Sequence, residues 1–182
     1  MPALDLLRIQ HWRLDEARTA ARRLLARRDC RQVARELVTC LLTEDRELRV
    51  RAADVARRIT ERDTESLALH VAELASILAE IPIPESRTRW HLGLVVARTA
   101  RTPQHIRLAA EVLWQLAEDK SNVVRCSAVE GLGLLAQRDR SLCSSVEPFL
   151  HQAFLTGTPA MRVRARDALR RLQSSGRKRP SA

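Results

Sequence analysis

Tyrosine is absent from this chain, and two phenylalanines (Phe149, Phe154) and three tryptophans (Trp12, Trp90, Trp114) are its only large aromatics. Glycine occurs five times. A β-sandwich draws on both kinds of residue, for strand packing and for turns, so thin helical layers are the expectation instead. No apolar run approaches the ~18 residues that a membrane span needs. The first residues, MPALDLLRIQH, lack signal-peptide architecture. The four cysteines (Cys30, Cys40, Cys126, Cys143) form no C-x-x-C and have no histidine nearby. Each sits in an apolar helical context and reads as a buried free thiol, with a disulfide or a metal as the alternatives. A reduced, soluble, cytoplasmic protein is expected.

The motifs of common enzyme chemistries are missing too. There is no G-x-S-x-G, P-loop or G-x-G-x-x-G, and Gly131-Leu132-Gly133 falls inside a helical pattern as a packing feature. His11, His70, His91, His105 and His151 are scattered, with no H-x-x-x-H or H-E-x-x-H. His70 and Glu73 are neighbours on a helix, which fits a surface contact better than a catalytic dyad. No catalytic residue, cofactor or metal is expected.

What the chain does have is leucine, alanine, valine and arginine. Hydrophobic residues make up 45% and charged residues 30% of the 182. The formal net charge is +10, and arginine outnumbers lysine 30 to 2. Such a charge suggests nucleic acid, but its distribution weakens the suggestion. Residues 161–182 carry 8 basic groups and 1 acidic group, while residues 1–160 are nearly balanced.

The apolar residues are periodic. A pattern ΦR-x-x-A-x-x-A-Φ-x-x-L starts at Arg13, Leu48, Thr88, Val124 and Met161, at spacings of 35, 40, 36 and 37 residues. A period in that range marks stacked supersecondary units. Position five reads Ala17, Ala52, Leu92, Ala128, Ala165, and position twelve reads Leu24, Ile59, Thr99, Leu135, Leu172. Positions five, eight, nine and twelve are one face of an α-helix, small residues admitting a neighbour and larger ones filling the gap. Each larger one contributes roughly 1.5–3 kcal/mol if fully buried. Asp45, Ser86, Ser121 and Thr158 stand where N-caps belong, and Thr102-Pro103 and Thr158-Pro159 are cap-proline pairs. A first helix precedes each pattern, at about 3–11, 30–42, 64–80, 103–117 and 141–155. The expected fold is all-α, an α-α superhelix of about five hairpins over residues 1–172. Residues 173–182, without an apolar stripe, are expected to form a disordered basic tail.

Val124-Arg125, Ala128, Gly131-Leu132 and Leu135 resemble the second helix of a HEAT repeat. Leu48-Arg49…Ile59 and Met161-Arg162…Leu172 come close to it. Thr88-Arg89…Thr99 is poorer, and the first unit has Leu14 where the arginine belongs. The resemblance covers roughly residues 3–172. It implies that an acid in the turn within each repeat pairs with the arginine of the pattern and ties repeats together. Here Asp45 precedes Arg49 by four, Glu85 precedes Arg89 by four, and Asp119 precedes Arg125 by six. The outer two repeats lack such an acid. Only Pro148 repeats the family's proline in the first helix.

The resemblance also puts the second helices on the concave side. Positions four, seven and eleven form a stripe there, and position eleven reads Arg23, Arg58, Arg98, Leu134, Arg171. Two readings are open. The stripe is a solvated face, with Asp54 and Asp167 four residues before Arg58 and Arg171 as local partners. Or it is a column of cations, spaced by the ~10 Å between packed helices, that takes an acidic segment of a partner. The middle helix, RWHLGLVVARTA, is apolar on most sides. It is either central and buried, or exposes Trp90 and Leu94 as an anchor patch. Trp114 is assigned to the core and Trp12 to a cap on the first repeat. The Gly-Arg-Lys-Arg-Pro cluster solubilises the tail or touches acidic surfaces.

The function expected is a non-enzymatic scaffold or adaptor, monomeric and not membrane-bound, holding a protein or acidic peptide segment on the concave face. Nucleic-acid binding is the alternative, akin to the HEAT-like alkylpurine DNA glycosylases, although no Trp-Trp-Asp cluster is present. A HEAT-like lyase or chaperone subunit for a tetrapyrrole-bearing partner is a third, with no residue pointing to it.

Overall fold

In the computed structural model, residues 1–10 and 12–176 are described. Among the described residues ten α-helices make five antiparallel hairpins. The first helices are α1 (Ala3–Leu7), α3 (Cys30–Leu41), α5 (Val71–Glu80), α7 (Pro103–Ala117) and α9 (Cys143–Thr156). The second helices are α2 (Leu14–Leu25), α4 (Arg46–Thr60), α6 (Ser86–Thr99), α8 (Asn122–Arg138) and α10 (Pro159–Gly176). Consecutive second helices pack side by side from α2 to α10, most extensively α6 on α8. The first helices form a second layer over them, each packed on the second helix of its own hairpin. A single core cluster runs from Ala3 to Leu172. This is a HEAT/armadillo-like helical repeat.

The repeat pattern carries that packing. Ala17, Ala52, Leu92, Ala128 and Ala165 are each 0% exposed. An alanine methyl at this position lets the neighbouring backbone come close, and Leu24, Ile59, Leu135 and Leu172 are buried two turns further on. Helix starts follow the caps in part. Asp45 Oδ1 accepts from the Glu47 and Leu48 amides at 2.9 and 3.1 Å, and Thr102 accepts from His105 at 3.2 Å ahead of Pro103. Thr158 accepts from the Met161 amide at 3.4 Å. Ser86 is inside α6, whose N-cap residue is Glu85, and Ser121 caps α8 by position without a side-chain bond.

Several boundaries differ from expectation. α1 stops at Leu7 instead of 11, and Arg51 donates to the Leu7 and Ile9 carbonyls at 2.9 and 3.0 Å, closing its end. The stretch from 64 opens with a turn in which Asp63 accepts from the Glu65 and Ser66 amides, so a 3-10 turn at Ala68–His70 precedes α5. Asp139 likewise holds a 3-10 turn, Arg140–Leu142, before α9. α10 continues to Gly176, with the Ser174 hydroxyl donating to the Arg170 carbonyl at 2.9 Å, so 173–176 extend the last helix. The rest of the expected tail, with its Arg-Lys-Arg cluster, lies outside the described residues. All four cysteines are free. Cys40 and Cys126 are buried, Cys143 half-buried, and Cys30 exposed because it occupies the first turn of α3.

No helix among the described residues is long and apolar enough to cross a membrane.

Candidate functional site

Arginines of the second helices fall into three arrangements. The first is an inter-repeat ladder. Arg49 of α4 meets Glu85 of the next repeat at 2.5 Å, and Arg89 of α6 meets Asp119 of the repeat after it at 2.5 Å. The pairs Asp45–Arg49, Glu85–Arg89 and Asp119–Arg125, read from spacing along the chain, are therefore replaced by pairs one repeat further on. An arginine one turn into a second helix points at the turn stacked beside it, where the next acid stands.

The ends of the ladder follow the same rule. Asp45 would face the first repeat, which has Leu14 in place of arginine, and it caps α4 instead. Arg125 would face the last repeat, which lacks an acid. It donates to Asn122 of its own first turn, and its Nε is buried without a hydrogen-bond partner among the described residues. Glu85, 6% exposed, is held below the usual carboxylate range by its bond from Arg49.

The second arrangement closes helix ends. Arg138 of α8 donates to the carbonyls of Ala97 (2.6 Å), Ala100 (2.7 Å) and Arg98 (2.9 Å), satisfying acceptors at the end of α6. Arg51 does this for α1, and Arg140 reaches the Leu172 carbonyl of α10 at 3.2 Å.

The third is a chain of ion pairs across four second helices. Arg58 and Arg57 both bind Asp54 at 3.1 Å, and Arg57 also pairs with Glu61. Glu61 lies 3.9 Å from Arg98, which binds Glu130 at 3.2 Å, and Glu130 binds Arg164 at 3.3 Å. Four guanidinium groups thus meet three carboxylates from α4 to α10. Arg58 and Arg98, candidates for a free cation column, are each 17% exposed and engaged. Arg23 and Arg171 are exposed. Asp167 is bound by Arg166 at 3.6 Å and Arg170 at 3.4 Å. Sequence reasoning missed the interleaving, though position seven signals it: Asp54, Glu130 and Asp167 stand there.

The middle helix α6 is buried on most sides, with Leu94 3% exposed. Leu94 is therefore no exposed anchor, since α6 lies between α4 and α8. Trp90 is half-buried. Its ring stacks on His91 at 4.3 Å, and the Arg57 guanidinium sits 5.8 Å from its centroid. His91 is 2% exposed, and among the described residues neither ring nitrogen has a hydrogen-bond partner. Burial pushes its pKa down to about 4. Trp114 packs edge-on against Phe149 at 5.1 Å, and Arg51 lies 5.1 Å over Trp12. Among the described residues no group of three or more His, Cys, Asp or Glu is placed to hold a metal.

No protein-family model matches the chain, and no curated protein matches it. Among solved structures, an engineered protein is similar at 17% identity and a TM-score of 0.63, over 95% of this chain and 89% of that one. A designed armadillo repeat protein is found at 15% identity and a TM-score of 0.39, over 93% and 98%. The first likeness bears on the fold alone.

Proposed function

We propose that this protein is a non-enzymatic interaction scaffold that holds a protein segment against its second-helix face. The observation that supports it most is the unbroken run of α2, α4, α6, α8 and α10 as one layer, with polar and charged groups along its open side. A solenoid presents such a surface because each hairpin buries its apolar side only on a neighbour. Four free thiols fit a reducing compartment, and we place the protein in the cytoplasm as a monomer. Nucleic acid is the weaker partner. Arg49, Arg51, Arg57, Arg58, Arg89, Arg98, Arg138 and Arg164 already bind carboxylates or helix ends, so they form no continuous phosphate track.

Site-specific photo-crosslinking tests this reading. A photoreactive residue at Trp90 or Arg23 should trap a protein partner in cells, and one at Arg35 or Arg107 on the first-helix layer should not. Trapping from the first-helix layer alone would overturn it.

A further inference from the structure

The charges on the second-helix layer are not evenly compensated. From Arg58 to Arg164 each arginine of the ion-pair chain has a carboxylate within 4.0 Å. At the N-terminal end this stops. A groove of about 140 Å³ lies between α2 and α4, lined by Arg18, Arg22, Arg58 and Arg62 with Ala21 and Leu25. Its one acid, Glu61, is already bound by Arg57. Arg22 and Arg62 are exposed and, among the described residues, make no ion pair. Arg18 has only Asp15 at 3.8 Å, with both side chains open to water. Arg23 is exposed beside them on α2.

The spacing is as informative as the charge. Arg18 and Arg22 are four apart on α2, while Arg58 stands in the last turn of α4 and Arg62 in the turn just beyond its end. Like charges at the α2 spacing repel on a helix, and Arg58 and Arg62 face the same groove from the α4 side. Elsewhere on this layer neighbouring arginines share an acid: Arg98 and Arg164 meet on Glu130 of the helix between them, and Arg166 and Arg170 both bind Asp167 of their own helix. We infer that the α2/α4 groove is the docking site for an acidic helical segment of a protein partner, whose carboxylates supply the missing counter-charges; this rests on the scaffold reading above. Residues four apart on a helix rise about 6 Å along its axis. Glutamates four apart on a partner helix therefore match Arg18 and Arg22 of α2 in step, and a guanidinium donates to a carboxylate in a two-bonded fork. One cluster suits one or two turns of an acidic helix. A nucleic-acid strand would need the cations to continue along the face, and beyond Arg58 they are taken.

The test uses fluorescence anisotropy with the full chain and a labelled alanine-based peptide carrying glutamate every fourth residue. The glutamate peptide should bind and weaken with added salt, and its glutamine counterpart should not bind. Arg22→Glu with Arg62→Glu should weaken binding by about tenfold or more. Arg35→Glu with Arg107→Glu, the same charge change on the first-helix layer, should leave it within about twofold. Should the reversal variant fail to fold, Arg22→Gln with Arg62→Gln gives the same reading, and it should melt no lower than the parent. The inference fails if the glutamate peptide does not bind or the glutamine peptide binds as well. It also fails if both reversal pairs weaken binding equally, if the glutamine variant melts lower, or if an oligo-dT strand binds more tightly through Arg22 and Arg62. A failure here with photo-crosslinks still mapping to Trp90 removes the groove and leaves the scaffold standing.

Discussion

Arg49 and Glu85 are 36 residues apart in sequence and meet at 2.5 Å, with side chains 14% and 6% exposed. They join the second and third repeats across the face where α4 packs on α6. Glu85 also accepts from the Thr88 hydroxyl at 3.3 Å, so its carboxylate is held from two sides. Removing one partner strands the other in a dry interface, which costs about 3 kcal/mol or more.

Glu85→Gln and Arg49→Ala should each lower stability by about 3 kcal/mol in urea unfolding. The pair also carries a pH signature. Because Arg49 holds the folded pKa of Glu85 below its usual value, the stabilisation is present above the unfolded carboxylate pKa near 4.5 and is lost as pH falls through the lower, folded one. Glu85→Gln should flatten that acid limb. An unchanged limb would mean the pair does not titrate as a unit.

The unfilled rung at the other end predicts a gain. Thr158→Glu places an acid in the turn that faces Arg125, at the position Glu85 holds relative to Arg49. A double-mutant cycle with Arg125→Ala should show a favourable coupling of about 1 kcal/mol. Zero coupling would show that the rule of pairing with the next repeat does not extend to the last hairpin.

His91 predicts a second, separate pH effect. Asp54, Arg57, Arg58 and Arg87 are the charged groups around it, and burial dominates them all, bringing its pKa from 6.5 to about 4. The fold prefers the neutral ring. Its contribution is whole above pH 6.5 and falls as pH drops toward about 4, by about 3 kcal/mol in all. Urea midpoints measured from pH 7.5 to 4 should show this slope, and His91→Phe should remove it while keeping an aromatic stack on Trp90. A slope that persists in the variant assigns the effect to other groups.

At Gly133 α8 lies close against α10. A β-carbon there would lie 2.6 Å from the Ala168 β-carbon, and neither group can rotate away. Gly133→Ala should cost about 1–3 kcal/mol and speed amide exchange through α9 and α10. Gly131→Ala meets chiefly the ends of the Leu113 side chain, at 2.9 and 3.0 Å, which can shift. It should cost less, and equal costs would mean that the helices part as readily as a side chain turns.

Much of this architecture was legible from residue spacing. The small residues at position five, the caps at Asp45 and Thr102, and the five second helices follow from local chemistry. The short α1 was not, because its end is closed by Arg51 from forty-odd residues away. The ladder was half legible: its four residues, and Asp45 and Arg125 beyond its ends, stand out by type, but spacing along a chain says nothing of which repeat each faces. The cation column misled for a similar reason. Arg58 and Arg98 form a column only if Asp54, Glu61 and Glu130 are ignored, and two of those acids reach Arg98 from other helices.

The burial of α6 has a mechanical corollary. A helix clasped on both flanks, with its far end held by Arg138, should be the last part of the chain to yield. Pulled from its termini, such a stack should peel hairpin by hairpin toward its middle, shedding α1 and α10 early, and extension traces would show a final step of about one central repeat.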